Sequence, residues 1–147
     1  MQERPELDHA IAALQRLSEL FQTRRRQLAE EVGITESQWR VLEEIADEHF
    51  MPSLFARERQ RTPAAVSRTL RALADRGLVE ASLGSDDARR RIYRLTTQGR
   101  SLQRDLRARR QVAIEEIWSD FSARDLRAFV RFAAALGDRL EEYTRRD

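Results

Sequence analysis

The sequence predicts a mainly α-helical fold carrying one small β-hairpin. Three observations predict it. Apolar residues recur at helical spacing through most of the chain. Capping residues and glycines interrupt that spacing at a few definite points. Two short strand-like runs flank a charged, turn-rich loop at residues 84–90.

The elements follow in order. Residues 6–31 predict a long helix, because Leu7, Leu14, Phe21 and Leu28 recur every seven residues with Ile11 and Leu17 between them. Gly33 ends it, being able to take positive φ. Thr35-Glu36-Ser37-Gln38 is a capping box that opens a helix carrying Trp39, Leu42, Ile45 and Ala46. Pro52, Leu54, Phe55 and Ala56 predict a short helix from 52 to about 60. Thr62-Pro63 opens the next, with Val66, Leu70, Leu73 and Leu78 facing inward and Gly77 as the stop. The short connection between these two helices forces a sharp turn, the helix-turn-helix arrangement. Strands are expected at 78–83 and 91–95. Thr96 caps a long helix with Leu102, Leu106, Ala113 and Ile117 on one face. Ser122 starts the last helix, in which Leu126, Ala133 and Leu140 recur at seven, as do Phe129, Leu136 and Tyr143. Helices followed by a hairpin, with long amphipathic helices at both ends, predict a winged helix-turn-helix.

Composition narrows the function. A length of 147 residues suits a single domain over 1–147. The chain has no cysteine, which excludes disulfides and thiolate chemistry and suits a reducing cytoplasm. Two histidines, His9 and His49, give no metal-ligand cluster, and no cofactor or metal is expected. No apolar run approaches a membrane span of ~18 residues, and the charged N-terminus has no signal-peptide pattern. No nucleophile–base spacing or glycine-rich phosphate loop appears, so an enzyme is not expected.

All 27 basic residues are arginine. The absence of both lysine and asparagine is what a GC-rich genome produces, but the arginines are unevenly placed. Residues 1–50 hold 6 arginines against 11 acids, −5; residues 51–100 hold 11 against 5, +6; residues 101–147 hold 10 against 9, +1. A basic middle third suggests a polyanionic partner. In the helix opened by Thr62, 3.6-residue periodicity places Ala64, Arg68, Arg71 and Asp75 opposite the apolar face. Arg68 and Arg71 carry forked donors able to pair with guanine O6 and N7. Ala64 and Ala65 allow close approach and contact with thymine methyls, and Ser67 can bond a base or phosphate. Arg89, Arg90 and Arg91 are consecutive at the hairpin, where an arginine gains from the potential of a narrow minor groove. Arg57, Arg59 and Arg61 are further candidate phosphate contacts.

Three segments taken together resemble the MarR family of bacterial transcription regulators: Ile34-Thr35-Glu36-Ser37-Gln38-Trp39-Arg40-Val41-Leu42; Thr62 to Leu73 with Arg76-Gly77-Leu78-Val79-Glu80; and Asp87-Ala88-Arg89 followed by Leu95-Thr96 and Gly99. The resemblance spans nearly the whole chain. It implies a DNA-binding lobe over 35–100, with a helical dimerisation region over 6–31 and 101–144. It implies that Arg89 enters the minor groove, that Asp87 orients it, and that Arg90 holds phosphate. It further implies a homodimer on a near-palindromic double-stranded DNA operator, most often as a repressor, and release by a small aromatic or anionic effector. Arg16, Phe21, Trp39 and Arg40 are the candidate effector residues, because arginine beside an aromatic ring suits an aromatic carboxylate. The segment around Glu48-His49-Phe50 and Phe55 is more aromatic than the family's usual pattern, and Phe50 and Phe55 are core or pocket residues. The alternative, a winged helix serving as a protein–protein adaptor, sits badly with Arg68 and Arg71 on the outward face.

Overall fold

A computed structural model describes residues 4–46, 50, 52, 55–56, 59, 61–83 and 91–146. Helix α1 is Pro5–Glu31, α2 is Glu36–Ala46 and α3 is Pro63–Asp75. Strands β1 (Val79–Leu83) and β2 (Arg91–Leu95) follow, then α4 (Thr97–Trp118) and α5 (Ala123–Thr144). Between α2 and α3, Pro52, Phe55 and Ala56 are helical, in the segment where a short helix was expected; its other positions, except Arg59, lie outside the described residues.

Local chemistry explains the boundaries. Pro5 occupies the first turn of α1, where a missing N–H costs nothing, and Glu6 and Asp8 complement the helix dipole there. The capping box at α2 closes in both directions: Gln38 N–H donates to Thr35 Oγ1 at 3.1 Å and Thr35 N–H to Gln38 Oε1 at 3.0 Å. Thr62 caps α3 by accepting from Ala65 N at 3.1 Å, with Pro63 just inside. Ser122 caps α5 through Asp125 N at 3.1 Å.

Helices α1 and α3 end in the same way. Gly33 (φ 76°) and Gly77 (φ 71°) take the left-handed conformation that costs other residues energy. Ile34 N donates to Ala29 O and Gly33 N to Glu30 O, both at 3.0 Å. The counterparts are Leu78 N to Leu73 O at 3.0 Å and Gly77 N to Ala74 O at 2.9 Å. These are two Schellman motifs, and the residue after each glycine, Ile34 or Leu78, is buried. This corrects the expected strand boundary. Leu78 closes the α3 motif, so β1 begins at Val79.

The strands pair antiparallel from Val79↔Leu95 to Leu83↔Arg91. Val79 and Leu95 are buried, whereas Leu83 is exposed, so the hairpin leaves the core as it extends. The core gathers Leu28, Ala29, Ile34, Trp39, Val41, Leu42, Ile45, Phe55, Ala56, Val66, Leu70, Leu73, Leu78, Val79, Leu95 and Leu106. All four α3-segment residues expected inward are among them. Full burial of a Val or Leu side chain is worth roughly 1.5–3 kcal/mol, so α3 is firmly seated by its inner face. α2 packs against α1, α3 and β2, and α3 packs against β1. Phe50 is half-buried on the core, with Phe55 at 5.9 Å and Tyr93 at 6.2 Å between ring centroids. The ring contacts make Phe50 and Phe55 core residues.

The chain divides into two compact units, residues 1–109 and 110–147. The first contains the core. Within it, Glu31 at the end of α1 meets Arg24 at 3.2 Å and Arg109 of α4 at 3.3 Å. Arg109 is held above its ordinary pKa first by its hydrogen bond to Asp105 and that residue's charge, then by Glu31. In the second unit none of the described residues is buried. The face expected along α4 therefore divides: Leu106 is core and Leu102 packs on it, whereas Ile117 is 55% exposed. Among the described residues no helix is long and apolar enough to cross a membrane.

Candidate nucleic-acid interface

Helix α3 turns one face inward through Val66, Leu70 and Leu73. That burial dictates what its other face presents. Thr62, Ala64, Ser67, Arg68, Arg71 and Asp75 are exposed, and Ala65 is half-buried. Thr69 Oγ1 is taken up locally, donating to Ala65 O at 3.1 Å. Arg68 and Arg71 make no ion pair or hydrogen bond among the described residues, so their guanidinium forks face solvent. Ala64 and Ser67 beside Arg68 are small and neutral, whereas Asp75 lies one turn beyond Arg71 on the same face.

Arg59 and Arg61, expected as phosphate contacts, each reach a residue of α2 in the single chain. Arg59 pairs with Glu44 at 3.0 Å, and Arg61 Nη2 donates to Ser37 Oγ at 3.1 Å. A surface arginine with a carboxylate partner keeps its charge but must surrender or share that partner to hold phosphate. Arg57 lies outside the described residues, as do Asp87, Arg89 and Arg90 of the hairpin tip. On the strands leading to that tip, Arg91 and Arg94 are exposed and without a partner among the described residues.

The effector candidates separate. Trp39 is buried in the core at 4% exposure. Arg40 is half-buried and donates to Glu36 Oε1 at 2.8 Å. Arg16 and Phe21 are exposed on α1, and no hydrogen bond, ion pair or cation–π contact joins Arg16 to Trp39 or Arg40 among the described residues. The residue found beside Trp39 is Arg25, whose guanidinium carbon lies 5.1 Å from the ring centroid, a cation–π contact. Arg25 Nε also stands 3.4 Å from Glu36 Oε1, close enough for charge attraction but without hydrogen-bond alignment. One carboxylate thus serves two arginines, and Nε of both Arg25 and Arg40 is shielded from solvent without a hydrogen-bond partner. Such atoms favour an incoming acceptor. Arg25 escaped the sequence reading, although it lies four residues after Phe21 and three before Leu28, a spacing that puts all three on one helix face.

A capped helix packed among other helices, presenting arginines unpaired among the described residues beside an antiparallel hairpin, defines a winged-helix protein. Residues 32–91 match the profile of the MarR family. The chain is 28% identical over 109 residues to the transcriptional regulator AdcR of Streptococcus pneumoniae, covering 72% of this chain and 75% of that one. Over residues 32–91 the chain is thus similar to the MarR family, and the relative it resembles is a transcriptional regulator. The fold is shared with the MarR family transcription regulator SP03579, at TM-score 0.87 and 21% identity, over 97% of this chain and 95% of that one. It is also shared with a mutant of Staphylococcus aureus MepR bound to an oligodeoxyribonucleotide, at TM-score 0.63 and 22% identity, over 90% and 96%.

Proposed function

We propose that the chain is a MarR-family transcriptional regulator that binds a near-palindromic operator as a homodimer in the cytoplasm and represses transcription from it. Helix α3 enters the major groove with Thr62, Ala64, Ala65, Ser67, Arg68 and Arg71 toward the bases and flanking phosphates. Asp87, Arg89 and Arg90 at the hairpin tip serve the adjacent minor groove. The observation that carries this reading is the outward face of α3, where Arg68 and Arg71 stand without partners among the described residues while Arg59 and Arg61 are tethered. The oligonucleotide bound to the structurally similar MepR supports it.

The homodimer reading is supported by the apolar side chains that the single chain leaves uncovered. On α1 these include Leu7, Ile11, Leu14 and Leu17, each at least 42% exposed, and on α5 Phe129, Val130 and Phe132, each at least 50% exposed. Surfaces of this kind mark interfaces. With one α3 per subunit, the half-sites lie ~10 base pairs apart. A small aromatic or anionic effector releases the operator by favouring a different spacing of the two α3 helices. Trp39 and Arg40, with Arg16 and Phe21 on α1, are the residues proposed to meet it. The two shielded Nε atoms of Arg25 and Arg40 support an anionic group there.

Binding to the promoter region of its own gene, followed by anisotropy across a salt titration, tests the function. Affinity is expected to fall steeply as salt rises, because neutralising phosphates releases counterions. Duplex binding that ignores salt, or no binding at all, would sink it.

A further inference from the structure

Helix α3 must be held at a fixed setting if two copies are to read half-sites at a fixed separation. Its inner face is seated by Val66, Leu70 and Leu73, but its C-terminal end is secured by polar contacts. We propose that Arg76 is a positioning residue that locks the end of α3 to the end of α1. The inference rests on the reading of α3 as the duplex-reading helix.

The two Schellman ends lie against one another. Arg76 is the C-cap residue of α3, and its Nη1 donates to Gly33 O at 2.5 Å, across 43 residues of chain. Its Nη2 stands 3.7 Å from the position a β-carbon on Gly33 would occupy, so the guanidinium lies close to the turn that ends α1. Each helix C-terminus gathers partial negative charge from its unpaired carbonyls. Neither α1 nor α3 has a basic residue in its last turn. The guanidinium of Arg76, carried at the end of α3, therefore answers the carbonyl charge at the end of α1 through its hydrogen bond to Gly33 O.

A second contact secures the same place. Thr96 Oγ1 donates to Gly77 O at 2.6 Å and accepts from Gly99 N at 3.0 Å, so the cap of α4 also holds the exit of α3. Three helix ends meet around Arg76-Gly77. Movement of α1, which carries part of the apolar face proposed for the dimer, is transmitted to α3 through this guanidinium. Arg76 lies C-terminal to the residues proposed to meet the duplex, about 8 Å along the helix from Arg71, about 12 Å from Arg68 and about 21 Å from Thr62 at 1.5 Å per residue. Its effect is on spacing and not on base contact.

The experiment uses the full chain as wild type, Arg76→Gln and Arg76→Lys. The probes are duplexes of two inverted half-sites, selected from a random pool by the wild-type chain, with the native separation or one base pair more or less. Arg76→Gln is expected to lose roughly tenfold in affinity at the native separation, and its preference for that separation is expected to collapse. Arg76→Lys, which keeps the charge and one donor, restores most of the affinity. The slope of log affinity against log salt stays at the wild-type value, because no phosphate contact is lost. A retained spacing preference in Arg76→Gln overturns the proposal. So does a salt slope reduced by about one, which makes Arg76 a phosphate ligand. So does equal loss of affinity for every separation together with a lowered unfolding temperature, which makes it a stability residue. A wild-type chain that selects no duplex overturns the DNA-binding reading itself, and the role of Arg76 with it.

Discussion

The carbonyl of Leu78 lies so close to Gly99 that a β-carbon on Gly99 would overlap its oxygen and stand 3.1 Å from its carbon. The same oxygen accepts from Thr96 N at 3.1 Å. The first turn of α4 therefore rests directly on the backbone where α3 passes into β1. A side chain of any size at position 99 must push α4 away from that junction.

Gly99→Ala is accordingly expected to destabilise the protein by about 3 kcal/mol, the upper end of the usual range for overpacking. The clash is with backbone, which cannot rotate aside as a side chain can. Urea unfolding at fixed protein concentration measures it. A change under ~0.5 kcal/mol, the level of an ordinary surface substitution, would show that the junction is looser than the geometry implies.

Arg68→Ala is expected to weaken operator binding by about 1–3 kcal/mol and to relax sequence preference at one base pair in each half-site. Its guanidinium has no intramolecular partner among the described residues, so removing it leaves no buried carboxylate behind and stability should not change. Arg59→Ala provides the contrast. Its pairing with Glu44 predicts a smaller loss, spread evenly over sequences. Competition binding with single-base operator variants separates the two. Equal, sequence-independent losses would place Arg68 on phosphate.

Much of this was readable in the sequence because it is local. The caps at Thr35, Thr62 and Ser122 and the stops at Gly33 and Gly77 each depend on residues within five positions. The buried face of α3 follows from 3.6-residue spacing alone. What was not readable joins distant positions: Arg76 to Gly33 across 43 residues, and Arg109 to Glu31 across 78. A surface arginine gives no local sign of which carbonyl or carboxylate it will meet. The contacts of Arg59 with Glu44 and of Arg61 with Ser37 were not legible for the same reason. Position 25 was legible in part, as its helix face was predictable but its place over an indole ring was not.

The indole of Trp39 offers a direct readout of the effector region. Trp39 is buried, whereas Trp118 is half-buried in the second unit. A Trp118→Phe variant should therefore show blue-shifted emission that iodide quenches poorly. Trp39→Ala should cost about 3–5 kcal/mol of stability, as large aromatic truncations in cores do. With Trp118→Phe as background, an aromatic carboxylate bound beside Arg25 and Arg40 should change Trp39 emission saturably. Arg40→Ala should raise the half-saturation concentration. Binding detected by calorimetry with no change in Trp39 emission would move the effector site elsewhere.

The second unit makes the sharpest demand on assembly. Helix α5 repeats Leu126, Ala133 and Leu140, and Phe129, Leu136 and Tyr143, yet none of its residues is buried in the single chain. Phe129 is 50% exposed, Phe132 62% and Tyr143 68%. A 22-residue helix with such a stripe gains most of its stability in water by covering it. Burial of each Phe is worth roughly 1.5–3 kcal/mol, so a few such side chains suffice to hold two subunits together. Sedimentation equilibrium is expected to give twice the 17.2 kDa chain mass, with an unfolding temperature that rises with protein concentration. Phe129→Glu would place a charge in that contact, and is expected to raise the dissociation constant by at least about 100-fold and to reduce helicity in the dissociated chain. Operator affinity should fall with it, because each α3 would then bind its half-site alone. A wild-type chain that remains monomeric and fully helical at micromolar concentration would sink the dimer, and α5 would then need some other surface to cover its stripe.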